Sequence, residues 1–333
     1  MDKTDKTQDV PGQEQEPSDD ASTEPAAPAV GGQAEASNTP PAGIPAGSGV
    51  SDIYETQRLP DVKKIVLSAP RHLVYGHSRD IGMVRQNNED STFTFFASQQ
   101  NVENAPDVGI FIVADGAGGH EEGERASAIA SRVVATHLSQ YLYQAMLSPR
   151  LGEPVEHPPI AELMAEAVRL ADKAVRQDVP KGGTTLTTVL LVGDLAHIAH
   201  VGDSRAYLIS AGDDTSGPSM EQLTRDHSVA RRLEEIGQIT AQEASVHPEA
   251  SRLWKMVGLT ENLEPDINTR RLPPGSYLLI CSDGLWNMVP EELIMRTVLE
   301  AKTPQEAADR LIAQANAHGG ADNIAAIVVQ MPE

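Results

Sequence analysis

The chain has 333 residues, 40% of them hydrophobic, and its 48 acidic and 26 basic residues give a net charge of −22. This length allows one large domain or two small ones, and the charge would repel nucleic acid and anionic lipid, so we expect no nucleic acid and no membrane as partners. The single cysteine, Cys281, excludes a disulfide framework and suits a reducing compartment. No apolar stretch approaches the ~18 residues of a transmembrane helix and no signal peptide is visible, so the sequence predicts a cytoplasmic protein.

The first 57 residues differ from the rest of the chain. They are rich in Pro, Ala, Gly, Ser, Gln and Glu, and Tyr54 is their only aromatic residue. A segment this polar cannot bury enough apolar surface to offset the entropy lost on ordering. We therefore predict a disordered acidic extension over residues 1–68, either a passive tail or a docking arm, followed by one folded domain over residues 69–333.

The folded part alternates apolar strands with helices. Apolar runs predict strands at 72–76, 91–97, 108–114, 185–192, 195–201, 205–210, 277–281 and 324–330. Helical spacing predicts helices at 123–147, 160–179 and 290–299, and a capping box at 303–306 opens a helix that ends near Gly319. Residues 223–258 are polar, with short helical pieces. Hairpin-linked strands separated by long helices favour an α+β fold, with antiparallel sheets and helices packed outside.

Short acidic motifs stand at the edges of these apolar runs. Asp115-Gly116 ends one strand, Asp283-Gly284 follows another, and Asp322 precedes the last. An isolated Asp-Gly pair is usually a turn, but carboxylates at the ends of several strands can converge on one point. Hard cations such as Mg²⁺ and Mn²⁺ prefer such oxygen ligands, and glycine at position 116 would let its carbonyl approach a metal closely. The coincidence predicts a carboxylate-bound metal centre with hydrolytic chemistry.

Other polar residues near these motifs suit the same chemistry. The Arg85 guanidinium presents a planar fork of donors that fits phosphate oxygens, although without the acidic neighbours a surface arginine would be the better reading. Glu89 and Asp90 could orient metal-coordinated waters. Asp203, between two predicted strands, is equally compatible with a tight turn and with a further metal ligand. Residues 182–185 resemble a phosphate loop but lack its Gly-Lys-Ser/Thr, so we predict a tight entry to a strand.

Taken in order, the motifs resemble those of the metal-dependent serine/threonine protein phosphatases, the PPM or protein phosphatase 2C family, of the bacterial type. The resemblance runs from about residue 72 to residue 329. Each motif alone is weak evidence for the family, but the occurrence of all seven in the family's order is specific. They occupy residues 82–90, 113–120, 183–186, 201–207, 223–228, 281–285 and 319–324.

The resemblance implies a four-layer α/β/β/α sandwich, with two antiparallel sheets flanked by helices and a two-metal site for Mn²⁺ or Mg²⁺ between loops. It implies that Asp115 bridges the metals, that Gly116 donates its carbonyl, and that Asp283 and Asp322 complete one metal's ligands. It further implies that Asp203 and Asp283 hold a weaker third metal. Arg85 would bind phosphate, and Glu89 and Asp90 would lie near metal-bound water.

The activity implied by the resemblance is hydrolysis of phosphoserine and phosphothreonine in proteins, by attack of a water that bridges the two metals. Such an enzyme, which we expect to be a monomer, would reverse Ser/Thr kinase signalling. Its partners would be phosphorylated proteins, among them a Ser/Thr kinase and its substrates. Residues 223–258 correspond to the flap that neighbours the site. One alternative keeps the chemistry but takes its substrates from phosphorylated regulators of transcription factors. Another is a non-catalytic binding protein with the same fold. Loss of metal ligands would favour this second alternative, and none of the ligands is lost.

Two positions depart from the family pattern. Ala117 stands where bacterial members usually have Met and some relatives have a His that acts as general acid. Alanine cannot donate a proton, so protonation of the leaving group must come from water or elsewhere. Residues 251–258, at the end of the flap, also differ from the usual sequence. This second departure bears on flap docking and substrate preference and leaves the metal site untouched.

Overall fold

The computed structural model describes residues 72–98, 106–118, 121–143, 158–212 and 216–333. The predicted acidic extension, His120 and the end of the predicted helix beyond residue 143 lie outside these ranges. The strands are β1 Val74–Asp80, β2 Asp90–Ala97, β3 Val108–Ala117, β4 Gly183–Thr184, β5 Leu186–Val192, β6 Leu195–Val201, β7 Arg205–Ser210, β8 Ser219–Gln222, β9 Asp266–Arg271, β10 Tyr277–Cys281 and β11 Ile324–Gln330. The helices are α1 Glu121–Leu142, α2 Ile160–Asp178, α3 Val229–Glu235, α4 Ala241–Ser245, α5 Asp283–Trp286, α6 Glu291–Glu300 and α7 Pro304–Ala317.

The strands form two antiparallel sheets, which confirms the predicted fold class. One sheet has the order β1-β11-β10-β7-β8, and the other has the order β2-β3-β5-β6-β9 with the short β4 beside β3. Hairpins connect β5 to β6 and β7 to β8, and Gly193 adopts a φ of 59° in the turn of the first. Gly193-Asp194 therefore forms the turn of the hairpin that links the predicted strands at 185–192 and 195–201, since glycine enters this left-handed region without a steric penalty.

Three apolar layers hold the sandwich together. In β3, Ile110 and Ile112 pack against α1 and α2, whereas Phe111 and Val113 face the other sheet. Successive side chains of a strand point to opposite faces, so a strand covered on both sides reads as a continuous apolar run. On the far side, α5, α6 and α7 pack against the outer face of the β10–β11 sheet. The order of layers is thus helices, sheet, sheet, helices, as expected.

Some predicted boundaries were wrong for identifiable reasons. Strand β1 begins at Val74 and continues to Asp80, because it pairs along its whole length with β11. Strands β8 and β9 were not predicted, since these edge strands are mostly exposed and polar and carry no apolar signal. Pro290 is the residue before α6 and not its first residue.

The start of α7 differs in detail from the predicted capping box. The Thr303 hydroxyl accepts the Glu306 N–H at 3.1 Å, as expected. The Glu306 carboxylate, however, accepts the N–H of Lys302 at 2.9 Å, one residue before the predicted partner. Both bonds satisfy backbone donors near the helix start, so the helix is still fixed at this end.

Helix α7 also covers the edge strand β1. A Cβ on Gly76 would lie 2.2 Å from the Gln305 Cα, so only glycine allows this approach. The Gln305 side chain accepts the His77 N–H at 3.1 Å and donates to the His77 carbonyl at 2.9 Å. Within the described part of the chain, none of the helices has both the length and the apolar character needed to cross a membrane.

Candidate metal centre

The fold brings the predicted acidic residues to one rim of the sandwich. Asp90 opens β2 and lies directly opposite Asp115 in the β2–β3 register. Strand β10 ends just before Asp283, and its antiparallel neighbour β11 begins just after Asp322, so both carboxylates lie at the same end of that sheet. Asp203 occupies the turn between β6 and β7. Antiparallel pairing therefore places next to one another residues that are far apart in sequence.

The electrostatics of these residues show that they form one cluster. Burial, followed by the nearby carboxylates Asp90 and Asp283, raises the pKa of Asp115 well above its usual value. Burial likewise raises the pKa of Asp90 to about 8 and that of Asp283 to about 6, and neighbouring acids add to both shifts. The pKa of Asp203 is raised in the same way, by burial and then by Asp283. A cluster of acids that resist ionisation together favours an added positive charge.

Two carboxylate oxygens in the cluster accept no hydrogen bond from an N–H or hydroxyl group of the described residues and so are available to a cation. Asp90 Oδ2 accepts the Ser282 hydroxyl at 2.6 Å, and Asp283 Oδ2 accepts the Asn287 amide at 3.2 Å. The other oxygen of each, Oδ1, is buried and accepts no hydrogen bond from an N–H or hydroxyl donor of any described residue. Buried polar atoms are rarely left unpaired in proteins, and carboxylate oxygens are the ligands that Mg²⁺ and Mn²⁺ prefer.

The cluster is an open site and not a closed cage. Among the described residues, no three His, Cys, Asp or Glu side chains are arranged closely enough to hold a metal ion by themselves. Mg²⁺ is commonly bound through one or two carboxylates and keeps several waters. The all-oxygen donor set and the two unpaired oxygens therefore fit hydrated divalent cations better than a dehydrated, fully protein-ligated ion.

Glycines allow the acidic motifs to pack this closely. A Cβ on Gly116 would lie 2.1 Å from the Gly123 carbonyl oxygen, and the Gly116 N–H donates to the Glu89 carbonyl at 3.1 Å. A Cβ on Gly284 would lie 2.0 Å from the Asn323 carbonyl oxygen. Any side chain at either position would therefore separate the segments that carry the carboxylates.

Buried threonines hold the backbone of Asp115. The Asp115 N–H donates to the Thr185 hydroxyl at 2.9 Å, and the Asp115 carbonyl accepts the Thr184 hydroxyl at 2.9 Å and the Thr185 N–H at 2.8 Å. The sequence pattern had suggested only a tight strand entry here. The signal in the sequence for this role was the pair of threonine hydroxyls in an otherwise apolar region, because buried hydroxyls need hydrogen-bond partners.

Arg85 lies beside the cluster. Its Nη2 is 2.5 Å from Asp322 Oδ2, and about half of the arginine side chain is exposed. The hydrogen bond to Asp322, with further attraction from Glu89 and Asp115, raises the Arg85 pKa. The guanidinium is thus attracted to the carboxylates while part of its surface stays open to a ligand.

Asn323 fixes the segment that carries Arg85, residues 81–87, which we call the arginine loop. Its side-chain amide donates to the Ile81 and Asn87 carbonyls, both at 2.9 Å, and its oxygen accepts the Glu89 N–H at 2.7 Å. The sequence pattern included Asn323 in an acidic motif without giving it a role. Its side chain spans both ends of the arginine loop and so positions Arg85 relative to Asp322.

Asp203 occupies a tight turn and also lies in the cluster, so the two readings of the sequence are compatible. Its carbonyl accepts the Trp286 indole N–H at 3.0 Å. Nearby, the Arg205 guanidinium donates to both oxygens of Asp226, with distances from 2.6 to 3.2 Å, and lies 3.5 Å from the centre of the Trp286 ring. The sequence pattern did not reveal this ion pair, because its partners lie in different motifs.

Residues 223–258 cover one side of the cluster, and we call them the flap. They contain α3 and α4 and leave a cavity of about 400 Å³ against Asp203 and Trp286. The His227 N–H donates to the Gly202 carbonyl at 2.7 Å, and the Gly202 N–H donates to His227 Nδ1 at 2.9 Å. Despite its unusual sequence, the end of the flap is docked through paired backbone bonds between Val257 and Thr184, both 3.0 Å.

Comparison with known proteins places this geometry among phosphatases. Residues 77–324 match the family model described as protein phosphatase 2C. The chain is 35% identical over 251 residues to the serine/threonine phosphatase stp of Listeria monocytogenes, an alignment that covers 75% of this chain and 93% of that protein. It is also similar to the crystal structure of the Mycobacterium tuberculosis serine/threonine phosphatase PstP, with a TM-score of 0.62 and 30% identity over 78% of this chain and 99% of that one. A PstP catalytic domain solved in complex with two manganese ions has a TM-score of 0.57 and 30% identity, over 78% of this chain and 97% of that one.

Proposed function

Because the chain belongs to the protein phosphatase 2C family and is a protein serine/threonine phosphatase, we propose that it uses Mn²⁺ or Mg²⁺ at the acidic cluster to hydrolyse phosphoserine and phosphothreonine in proteins. The observation that carries this proposal is the cluster itself. Burial and neighbouring carboxylates raise the pKa of Asp90 and of Asp283 there, and Asp90 Oδ1 and Asp283 Oδ1 have no hydrogen-bond donors among the described residues. The manganese-bound PstP domain supports the same kind of ion.

The proposed ligands follow from position in the cluster. Asp115, Asp283, Asp322 and the Gly116 carbonyl would hold two cations, and Asp203 with Asp283 would hold a third. When bound, such cations lower the pKa of coordinated water towards neutrality and offset charge on the phosphoryl oxygens. The protein fixes these oxygens by placing the acidic residues at strand ends. Gly116 and Gly284, where a side chain would clash with neighbouring backbone, let these segments pack closely.

The remaining polar groups would orient water and phosphate. The half-exposed Arg85 guanidinium has donors available for phosphate oxygens beyond the one directed at Asp322. Asp90 is held through Oδ2 by Ser282, so its Oδ1 is the oxygen that would accept a hydrogen bond from water at the centre. Glu89, next to it in the chain, would act on water in the same way.

Protonation of the leaving serine or threonine oxygen would come from solvent. Ala117 lies at the end of β3, opposite Gly183, and its methyl group carries no transferable proton. The half-buried position of Ala117 leaves water access to this side of the centre. We therefore assign no side chain as general acid.

The proposed substrates are phosphorylated proteins, including those modified by a Ser/Thr kinase whose signal the enzyme would reverse. The curated relative from Listeria carries the name serine/threonine phosphatase. The acidic chain would also favour basic segments in its substrates over acidic ones. A monomer suffices for this chemistry, because all the proposed site residues belong to one chain.

The test is hydrolysis of a phosphothreonine peptide and of p-nitrophenyl phosphate by the purified full chain. Turnover should require added Mn²⁺ or Mg²⁺, stop in excess chelator, and fall at least about a hundredfold in Asp283→Asn, since charge stabilisation at the reacting group is lost. Asp309→Asn, on the exposed face of α7, is the matched control and should retain full turnover. Undiminished turnover in excess chelator or in Asp283→Asn would overturn the mechanism, and manganese uptake without turnover would indicate a binding protein instead.

A further inference from the structure

The arginine loop exposes two large apolar side chains next to the proposed phosphate-binding residue. Met83 is 70% exposed and Val84 is 67% exposed, and both directly precede Arg85. Single exposed apolar residues are ordinary on protein surfaces. Among the described residues, however, no other two large exposed apolar side chains are adjacent in sequence. Their place beside the metal centre gives this pair a position that the other exposed apolar residues lack.

The backbone beneath these side chains is held at several points. The Met83 N–H donates to the Gly320 carbonyl at 2.7 Å, and the Gly82 N–H donates to Asp80 Oδ1 at 2.8 Å. Gly82 has a φ of 82°, and a Cβ there would lie 2.2 Å from the Asp322 carbonyl oxygen. Asn323 binds both ends of the arginine loop. A loose loop could turn its apolar side chains inward, whereas this loop is fixed with both side chains outward.

We propose that Met83 and Val84 form an apolar platform that contacts a side chain of the substrate next to its phosphorylated residue. This inference rests on the proposed function, because Arg85 must hold the phosphate for the platform to meet the neighbouring residues. An extended peptide advances about 3.3 Å per residue, so the positions within two residues of the phosphorylated one lie within reach of side chains adjacent to Arg85. The substrate class is therefore phosphoproteins with a Leu, Ile, Val or Met close to the phosphorylated residue.

A substrate preference that comes from apolar contact can be distinguished by its salt dependence from one that comes from the net charge of the protein. The net charge of −22 attracts basic substrates over long distances, and salt screens this attraction. Contact between apolar side chains does not weaken with added salt. A preference created by the platform should therefore persist at high ionic strength, whereas a preference created by charge should fade.

The experiment compares enzyme variants with matched peptides. One set of phosphothreonine peptides carries Leu at each position within two residues of the phosphothreonine, and the other set carries Ser there. Met83→Gln and Val84→Ser remove the apolar surface without touching Arg85, and Tyr143→Ser is the control. Tyr143 is also 62% exposed but directly follows the last residue of α1, a helix of 22 residues and thus about 33 Å long whose first turn packs against Gly116.

For the wild type, kcat/KM should be about tenfold higher for the best Leu peptide than for its Ser counterpart, the lower end of what one apolar contact gives. Val84→Ser should reduce that ratio to about one at both low and high salt, while turnover of p-nitrophenyl phosphate stays unchanged; Tyr143→Ser should keep the ratio. Equal rates for the two wild-type peptide sets, an unchanged ratio in both platform variants, or an equal loss on p-nitrophenyl phosphate would overturn the platform. Absence of any metal-dependent turnover by the wild type would overturn the proposed function itself.

Discussion

Buried charge is treated in opposite ways at two neighbouring places in this protein. At the metal centre, burial and nearby carboxylates raise the pKa of Asp90, Asp115 and Asp283, and one oxygen each of Asp90 and Asp283 lacks a hydrogen-bond donor among the described residues. At the base of the flap, Asp226 is matched by a guanidinium that bonds both of its oxygens and by the Gln222 amide at 2.9 Å. The charge of Asp226 is thus balanced within the chain, whereas for the centre we propose that a bound cation supplies the missing positive charge.

The comparison separates an acid that is paired within the fold from acids that we propose bind a cation. Removing one partner of a buried ion pair is strongly destabilising, because it leaves an uncompensated buried charge. A buried cluster of like charges is destabilising as it stands, and binding of a cation relieves the repulsion. We therefore expect opposite responses to charge removal at the two places, and the following predictions test that difference.

The largest expected effect is a pH dependence of the metal-free protein. Burial raises the pKa of Asp90 from 3.8 to about 8, so between these values the folded state holds a proton that the unfolded state releases. The stabilisation from this proton is complete below about pH 4 and is lost as the pH rises through 8, because the folded state then releases the proton as well. Each pKa unit by which the folded and unfolded states differ is worth about 1.4 kcal/mol. Urea unfolding in chelator should show wild-type stability falling relative to Asp90→Asn across this range. A constant difference between the two proteins would contradict the raised pKa.

The flap base should respond in the other direction to loss of an acid. Asp226→Ala leaves the mostly buried Arg205 guanidinium without its partner, which should lower the free energy of unfolding by about 3 kcal/mol. Denaturant unfolding with Mn²⁺ present measures this. Glu291→Ala is the control, since Glu291 is exposed and lies 3.9 Å from the same guanidinium, and its loss should have little effect. Similar losses of unfolding free energy in the two variants would show that the buried Arg205–Asp226 pair contributes no more to stability than the exposed Glu291 does.

Added manganese should stabilise the centre and leave the flap base as it is. At a free Mn²⁺ concentration of about 100 times Kd, binding to the folded state alone adds about 2.7 kcal/mol. Thermal unfolding should show this gain in the wild type and in Asp226→Ala, and chelator should reverse it. Asp283→Asn should lose most of the gain. A gain retained in full by Asp283→Asn would place the cation elsewhere.

The smallest effect is a stabilising substitution at the centre. Asp115→Asn removes one of the repelling charges and should stabilise the metal-free protein by about 1 kcal/mol at neutral pH while abolishing turnover. The chemical unfolding midpoint in chelator provides the measurement. A lower midpoint than that of the wild type would mean that the Asp115 carboxylate is already compensated within the chain.

The parts of the fold that the sequence predicted are those in which a local pattern decides the structure. The apolar runs of β3, β10 and β11 are buried on both faces, so their composition alone indicated strands. Strand β9 has five exposed residues of six, and it is fixed by backbone pairing with β6 and by ion pairs such as Lys255–Asp266 at 2.6 Å, neither of which a local apolar pattern reveals. Its position depends on partners that lie elsewhere in the chain, since Thr269 bonds His197 at 3.0 Å and Arg270 bonds Glu221 at 2.6 Å.

The same distinction applies to the centre. Its acidic residues stand at strand ends, so the sequence indicated both their type and their meeting place, while their roles at a metal stay a prediction. The supporting bonds were not predictable, because each joins distant segments. Asn323 and Ile81 are 242 residues apart, and Ser282 and Asp90 are 192 residues apart. Only the folded chain shows that an amide and a hydroxyl hold the arginine loop and Asp90 in place.

The Gln305 side chain gives strand β1 a partner where its sheet has none. By exchanging two hydrogen bonds with His77, the amide imitates one residue of a neighbouring strand. An open edge of this kind invites pairing with the edge of another molecule, and thus aggregation. One glutamine on a helix therefore serves solubility: it blocks an intermolecular sheet at the middle of the exposed edge, where an added strand would otherwise pair.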